Sequence, residues 1–309
     1  MNVKVVNEGL TVQSRREVLN IVGVNSNGED TSKKIDNNKM EEGVIYGKTN
    51  VNADAVVSVE GASVKTLSNN QQIQSALSGL GFYNGPMDGN LTSDMCKKAI
   101  TNFQTVYGLT ANGIMNSSTQ SKLDAASTMK SNVVVSSKFT NLTSSSKLNL
   151  DATEKQNFAR TWAFLRVGLD CTTNQAAGIC GNLYNESKFA SDNAQDGKYP
   201  GDHNSGYQFK VDDQVGYGLE QWTVASVKKT LKDTAAEMGL DVSDVNAQLA
   251  TIRKEVTSTR ISDWKKVLAK TSYKDVSDMF LDYIERPAKK NYEERRNFSK
   301  QIYEALNAF

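Results

Sequence analysis

The chain has 309 residues, a length typical of two or three domains, and its 36 basic and 35 acidic side chains leave a net charge of +1. This balance provides no electrostatic basis for binding nucleic acid or an anionic membrane. No run approaches the roughly 18 apolar residues of a membrane helix, and residues 1–22 lack the apolar core of a secretory signal, so we expect synthesis in the cytoplasm without an export signal or membrane insertion.

Residues 1–69 alternate short β-prone runs, such as "NVKVV" and "EVLNIVGV", with polar stretches that contain Asn and Gly. Such alternation is typical of short strands separated by turns. We therefore predict a small β-rich N-terminal module, or arm, in which no chemical motif is present.

Residues 70–128 follow a helical pattern, beginning with Ile73, Ala76, Leu77 and Leu80 at i, i+3, i+4, i+7 spacing. A second helix has one apolar face made of Cys96, Ala99, Ile100, Phe103 and Tyr107. A glycine turn followed by a helix-capping residue occurs twice, at Asp88-Gly89 and at Asn112-Gly113. These segments predict a unit of three helices.

This unit resembles the three-helix peptidoglycan-binding domain of many wall hydrolases. The shared pattern is G-x-Y/F-x-G-x-x-D-G, A-I-x-x-F-Q-x-x-x-G-L, D/N-G and T-x-x-x-L, met here between Gly81 and Leu123. The resemblance implies a shallow groove that binds peptidoglycan. Its candidate wall contacts are Tyr83, Asp88, Gln104 and Tyr107, and a purely structural role in the core or the turns is the alternative.

Residues 129–149 are rich in Ser, Thr and Asn and lack periodicity, which indicates a flexible linker. Helical periodicity then dominates residues 150–309, so the fold class is mainly α. The predicted helices are 152–167, 174–189, 224–238, 244–258, 260–270 and 275–308, with a Gly/Asp/Asn-rich segment before the third.

Glu186 lies at the edge of the apolar stripe of helix 174–189, seven residues after Ile179 and three after Leu183. A carboxyl group that packs on aliphatic neighbours resists losing its proton. Such an acid can protonate a glycosidic oxygen. The alternative is a glutamate that simply faces water at the end of a helix.

The segments "GICGNLYNES" and "GYGLEQWT" resemble those of the lysozyme-like fold shared by goose-type lysozymes, lytic transglycosylases and, most closely, phage tail lysozymes. The phage pattern G-I-x-G-N-x-x-x-E-S, G-x-G-L-x-Q-W-T and Y/F-x-E-R/K-P is met at residues 178–187, 216–223 and 283–287, and later arginines belong to the same pattern. The resemblance covers residues 150–309. It implies that Glu186 is the general acid that cleaves the β-1,4 bond between N-acetylmuramic acid and N-acetylglucosamine, without a metal or organic cofactor.

By the same resemblance, the candidate sugar contacts are Gln221, Tyr217 and Trp222, supported by Asn182, Tyr184 and Ser187. A core position is the alternative for Trp222. The family usually has an arginine after Q-W-T, where this chain offers Lys228 or Lys229. Glu285 and Arg286, with Tyr283, are expected to brace the lobe as an ion pair.

The identity of the second catalytic group does not follow from the sequence. Hydrolysis requires another carboxylate, and the candidates are Asp192, Asp196, Asp202, Asp212 and Asp213. A lytic transglycosylase needs none, because a hydroxyl of the substrate itself attacks.

Two other readings compete with the glycosidase. A thiol peptidase would use Cys180 and His203, although Cys180 lies within an apolar stripe and can equally be a core thiol or pair with Cys171. A non-catalytic structural protein would bind the wall through residues 70–128 alone. We favour a modular endolysin that acts on the wall after holin-dependent release or as part of a phage tail.

Overall fold

The computed structural model describes residues 68–195, 206–287 and 290–309, together with the backbone of four short strands before residue 68. The chain divides into two compact units. The first contains residues 1–75 and 86–91, and the second contains residues 76–85 and 92–309.

The strands of the first unit are Asn2–Val5 (β1), Asn20–Gly23 (β2), Lys33–Lys34 (β3) and Ser58–Val59 (β4). They pair in the order β3-β2-β1-β4, and β1 runs parallel to β2 while the two outer pairs are antiparallel. The other residues before Ser68 lie outside the described part of the chain. The β-rich N-terminal module over 1–69 therefore stays a prediction.

Helices dominate the described residues, which confirms the mainly α prediction for them. They are Asn69–Gly79 (α1), Asp94–Tyr107 (α2), Ser117–Val135 (α3), Ser137–Leu142 (α4), Ala152–Ala163 (α5), Thr173–Ser187 (α6), Ala225–Met238 (α7), Val245–Thr257 (α8), Ile261–Leu268 (α9), Tyr273–Phe280 (α10) and Tyr292–Leu306 (α11). Two π-helical turns, Phe164–Gly168 and Leu281–Glu285, continue α5 and α10.

The single helix predicted over 275–308 is interrupted. The π-helical turn after α10 ends at Glu285, Arg286 has a left-handed conformation with a φ of 51°, and Pro287 follows. Proline has no backbone N–H to donate, and it disfavours a right-handed helical conformation in the preceding residue. The helix therefore ends before Pro287, and α11 begins at Tyr292.

The prediction of a flexible linker over 129–149 does not agree with the structure. The end of α3 and all of α4 occupy much of this range. Phe139 and Leu142 are buried, and the ring of Phe139 packs on Phe158 of α5 with centroids 5.3 Å apart. A few well-placed apolar side chains thus anchor a segment whose overall composition indicated a linker.

Within the second unit, residues of the predicted wall-binding domain contact the helices that follow it. Asn102 of α2 is buried and donates from Nδ2 to the carbonyl oxygen of Met238 at 2.9 Å. Lys98 donates to the carbonyl oxygen of Glu237 at 2.7 Å, and Asn246 of α8 donates to that of Leu80 at 3.3 Å. The carbonyls at the end of α7 have no partner inside their own helix. The bonds of Lys98 and Asn102 join α2 directly to the end of α7, so no tether separates these two helices.

Two glycines allow α10 and α11 to approach α6 closely. A Cβ at Gly178 would lie 2.7 Å from the carbonyl oxygen of Tyr273, and one at Gly181 would lie 2.6 Å from the backbone nitrogen of Ser299. Both distances are too short for a real side chain, so only glycine fits this spacing. The close packing brings side chains of α11 within reach of the last turn of α6.

We expect Gly181→Ala to lower the free energy of unfolding by about 1–3 kcal/mol or more, because the added methyl group would meet backbone atoms that cannot move alone. Urea unfolding measures this change. Gly79→Ala is the matched control, since no atom lies within 4 Å of a Cβ there, and we expect it to be neutral or to stabilise by up to about 1 kcal/mol. Equal unfolding free energies for the two variants would contradict the close approach of α6 and α11.

Candidate active site

Glu186 lies in the last turn of α6, just before the chain leaves the helix through the left-handed residue Lys188. The hydroxyl of Ser187 donates to the carbonyl oxygen of Leu219 at 3.1 Å, which holds the Gly-Leu-x-Gln turn at the end of this helix. The side chain of Glu186 is 17% exposed. It is thus accessible to a ligand without extending into bulk solvent.

Arg295 of α11 forms an ion pair with Glu186, between Nη2 and Oε1. Its other terminal nitrogen, Nη1, donates to Oδ1 of Asn182 at 3.1 Å. Asn182 in turn donates from Nδ2 to both the carbonyl and the hydroxyl oxygen of Ser277, each at 3.1 Å. Because Asn182 and Glu186 are one helical turn apart, a single guanidinium contacts both.

Glu220, in the turn that follows Gly218, is buried and accepts a hydrogen bond from Nε1 of Trp222 at 3.0 Å. Burial, followed by the negative charge of Glu255, raises the pKa of Glu220 to about 8, against the positive charge of Arg260. Nε of Arg260 lies 3.2 Å from Oε1 of Glu255 and so compensates that second carboxylate. Glu220 therefore holds its proton at neutral pH.

Glu285 ends the π-helical turn after α10, and its Oε1 atom is buried without a hydrogen-bond partner among the described residues. Burial raises its pKa well above the ordinary value, and the negative charges of Glu186 and Glu220 raise it further, against Arg295 and Arg260. An uncompensated buried carboxylate is costly. Burial therefore favours the protonated form of Glu285.

These side chains form what we call the carboxyl cluster, consisting of Glu186, Glu220, Glu255 and Glu285 with the guanidinium groups of Arg260 and Arg295. The apolar stripe of α6 predicted aliphatic neighbours for Glu186, whereas the structure gives it a charged partner and charged surroundings. The expected pairing of Glu285 with Arg286 is wrong, because Arg286 pairs with Asp263.

The predicted sugar contacts are mostly enclosed. Gln221 is half-buried, and its Nε2 donates to the carbonyl oxygens of Asn193 and Gly218 at 3.2 and 3.0 Å. Trp222 and Tyr217 are each 6% exposed, which favours the core position for Trp222. Contacts of these residues with sugar stay predictions, and Gln221 has the most accessible side chain of the three.

The three supporting candidates are buried, and all of them bind protein groups. Asn182 binds Ser277 and Arg295, as described above. The hydroxyl of Tyr184 donates to the carbonyl oxygen of Leu148 at 2.8 Å, and Ser187 binds Leu219. These contacts favour a role in shaping the site over direct contact with a ligand.

Gln104, a predicted wall contact, is fully buried and binds the second glycine turn. Its Oε1 accepts from the backbone of Asn112 and Gly113, both at 2.9 Å. In the first unit, Gln74 binds the other glycine turn in the same way, because its Oε1 accepts from the backbone of Gly89 at 2.8 Å. Gln104 thus has a structural role that leaves it no exposed surface.

Tyr83 and Tyr107 are also buried, with 4% and 3% of their surface exposed. The ring of Tyr107 stacks on Phe103 with centroids 4.5 Å apart, as expected of a core residue. Asp88 is exposed but accepts a hydrogen bond from Gln74 at 2.8 Å, and this bond holds its pKa below the ordinary value. Of the four predicted wall contacts, Asp88 is the one with an accessible side chain.

Lys228 does not face a ligand. It is fully buried, forms an ion pair with Asp213, and donates to the hydroxyl of Tyr207 at 3.1 Å and to the carbonyl oxygen of Val215 at 3.0 Å. It therefore secures the segment before the Gly-Leu-x-Gln turn. Lys229, the other candidate, pairs with Asp233.

Among the predicted second carboxylates, Asp213 is thus engaged by Lys228. Asp192 is half-buried and Asp212 is exposed. Asp196 and Asp202 lie outside the described residues, in the gap between 195 and 206. A second catalytic aspartate stays a prediction.

The cysteines do not favour a thiol peptidase. Cys171 and Cys180 are free and buried, so the proposed disulfide is not formed. Burial raises the pKa of Cys171 to about 12 and that of Cys180 well above the ordinary value. A thiolate nucleophile needs the opposite environment. His203, its predicted partner, lies outside the described residues.

Sequence reasoning missed Arg295, Arg260 and Glu255 as parts of this site. The run "EERRNF" contains Arg295, but spacing alone does not distinguish it from its neighbour Arg296, which pairs with Asp278 on a more exposed surface. Only the close packing of α11 on α6 identifies the arginine that reaches Glu186.

The helices in the described ranges include none with the length and apolar character needed to cross a membrane. Residues 156–306 match the family model of phage tail lysozyme, and residues 67–123 match that of a peptidoglycan binding domain. No curated protein matches the chain. With a peptidoglycan-binding domain followed by a phage tail lysozyme domain, the chain is a modular, endolysin-like protein.

Proposed function

We propose that this protein degrades peptidoglycan as a glycosidase, cleaving the β-1,4 bond between N-acetylmuramic acid and N-acetylglucosamine with Glu186 as the general acid. The observation that carries the proposal is the position of Glu186. It is a partly exposed carboxyl at the end of α6, beside the Gly-Leu-x-Gln turn, within the part of the chain that matches phage tail lysozyme.

The chemistry requires a carboxyl group that delivers a proton to the leaving glycosidic oxygen. Glu186 is suited to this step because one oxygen is held by Arg295, which fixes the direction in which the carboxyl group points. Burial favours the protonated forms of Glu220 and Glu285, which limits the negative charge beside Glu186. A substrate sugar is expected to reach Glu186 through the 17% of its side chain that is exposed.

The fate of the sugar intermediate distinguishes two versions of this function. In hydrolysis, water attacks with the help of a second carboxylate. Asp192 and Asp212 stay candidates for it, as do Asp196 and Asp202, which lie outside the described residues. In lytic transglycosylation, a hydroxyl of the substrate attacks and an anhydro sugar forms. The second version is supported by Glu220 and Glu285, because burial favours their protonated forms and a protonated carboxyl group cannot activate water.

The peptidoglycan-binding domain would hold the enzyme on its polymer and raise the local concentration of the substrate. Release through a holin pore or transport on a phage tail would bring the protein to the wall. A non-catalytic wall-binding protein is the alternative in a different class, and the loss of saccharide release in a Glu186 variant separates the two.

Mass spectrometry of fragments from purified peptidoglycan tests the proposal. We expect disaccharide-peptide fragments that end in N-acetylmuramic acid at the reducing end. An anhydro-muramic end would identify a transglycosylase at the same bond. Fragments that end in N-acetylglucosamine, cleavage confined to the peptides, or no release at all would contradict the proposed bond.

A further inference from the structure

Arg295 is an unusual arginine because it is almost fully enclosed, with 4% of its side chain exposed. Its guanidinium divides its two terminal nitrogens between Glu186 and Asn182. The planar fork of arginine suits such a two-point contact, whereas the single ammonium group of lysine does not. The contact therefore requires a partner for Glu186 that is positively charged and has a planar fork, as arginine does.

The partners of Arg295 are themselves fixed. Asn182 is fully buried and donates to Ser277 of α10 and to the carbonyl oxygen of Gly178 at 3.0 Å. Gly181 lets the backbone of α11 approach α6, as described above. The side chain that holds Glu186 is thus supported from three helices, and its position follows from their packing.

Charges of both signs surround Glu186. Arg295 lies directly against it. From other elements, Glu285 of the π-helical turn and Glu220 of the Gly-Leu-x-Gln turn face it, and Arg260 and Glu255 beyond them compensate each other. Asp282, in the same π-helical turn as Glu285, is engaged by Lys290 and Tyr292. Arg295 is therefore the one cation in direct contact with Glu186 among the described residues.

We propose that Arg295 is the positioning residue of Glu186, and that this role needs the two-point contact of the guanidinium fork rather than the positive charge alone. This inference rests on the proposed function of Glu186. The guanidinium orients the carboxyl group toward the glycosidic oxygen.

Two substitutions in the full-length protein separate position from charge. Arg295→Met removes both, so we expect kcat for peptidoglycan release to fall by about 10- to 100-fold. KM should change little, because a positioning residue acts on the reacting group rather than on substrate binding. Arg295→Lys keeps the charge but loses the fork, so its kcat should also fall with KM little changed.

Arg296→Met is the matched control, because Arg296 is the next residue on α11 and pairs with Asp278 instead, with Nε 2.6 Å from Oδ1. It should leave both kcat and KM unchanged. Thermal unfolding of each variant reports how much folded protein contributes to the rate. If Arg295→Met does not fold, Arg295→Lys decides, since a rate equal to that of the unsubstituted protein would overturn the positioning role.

The inference also fails if the loss of kcat in Arg295→Met disappears once the rate is referred to the amount of folded protein, as it would for a merely structural residue. Glu186→Gln distinguishes this failure from that of the proposed function. An inactive Glu186→Gln together with an unchanged kcat per folded Arg295→Met molecule rejects the role of Arg295 alone. An active Glu186→Gln rejects the proposed function itself.

Discussion

Glu186→Gln is expected to reduce the release of saccharides from purified peptidoglycan by about 10²- to 10⁴-fold, the contribution typical of a general acid. The amide oxygen of glutamine still accepts a hydrogen bond from Arg295, so the packing of α6 and α11 should persist. What is lost is the acidic proton. The measurement is the initial rate of soluble fragment release at fixed peptidoglycan concentration.

The matched control is Glu304→Gln, which removes an exposed carboxylate of α11 that pairs with Lys300 at 3.8 Å. This variant should release fragments at the unsubstituted rate. Sedimentation with insoluble peptidoglycan should be equal for both variants and the unsubstituted protein, because the wall-binding domain is unchanged. Retention of activity in Glu186→Gln, with binding intact, would show that the proton comes from another group.

Local patterns in the sequence predicted the helices and turns well. Gly89 and Gly113 have the left-handed conformations expected of their turns, with φ values of 80° and 71°. After the first of these turns, the hydroxyl of Ser93 caps α2 by accepting a hydrogen bond from the backbone of Cys96 at 3.3 Å. These features depend on neighbours within a few residues, which is why periodicity and turn chemistry were sufficient to find them.

Features that depend on tertiary packing were not predictable in this way. Gln104 matched a family motif and was read as a wall contact, but its role is to bind a turn eight residues away. The segment over 129–149 looked like a linker because composition averages over the few apolar residues that anchor it. In both cases the side chain's partner, rather than its own type, determines its role.

The carboxyl cluster likewise depends on tertiary packing and could not be predicted from local sequence patterns. Glu186 was identified from its place on one helix, but its environment comes from the Gly-Leu-x-Gln turn, α8, the π-helical turn and α11. No local pattern indicated that four carboxyl groups and two guanidinium groups meet there. The sequence predicted the candidate acid, and the fold supplies the charges that act on it.

Those charges make the stability of the protein depend on pH, and Glu220 provides the sharpest test. Its pKa is raised from 4.5 to about 8 in the folded protein. Between these values the folded state keeps a proton that the unfolded state has lost, so stability falls as pH rises and levels off above the folded pKa. The difference of 3.5 pKa units (8 − 4.5) corresponds to about 5 kcal/mol, at about 1.4 kcal/mol per unit.

Glu220→Gln should remove this dependence, because glutamine resembles the protonated acid at every pH and can still accept the hydrogen bond from Trp222. We expect the unfolding free energy of the variant to equal that of the unsubstituted protein near pH 4.5 and to exceed it by several kcal/mol near pH 8. Urea unfolding across that range measures both values. Glu237→Gln, which alters an exposed pair with Lys254, is the control. Its curve of unfolding free energy against pH should run parallel to that of the unsubstituted protein. Parallel curves for Glu220→Gln as well would mean that Glu220 is ionised in the folded protein, and the neutral acid beside Glu186 would have to be Glu285 alone.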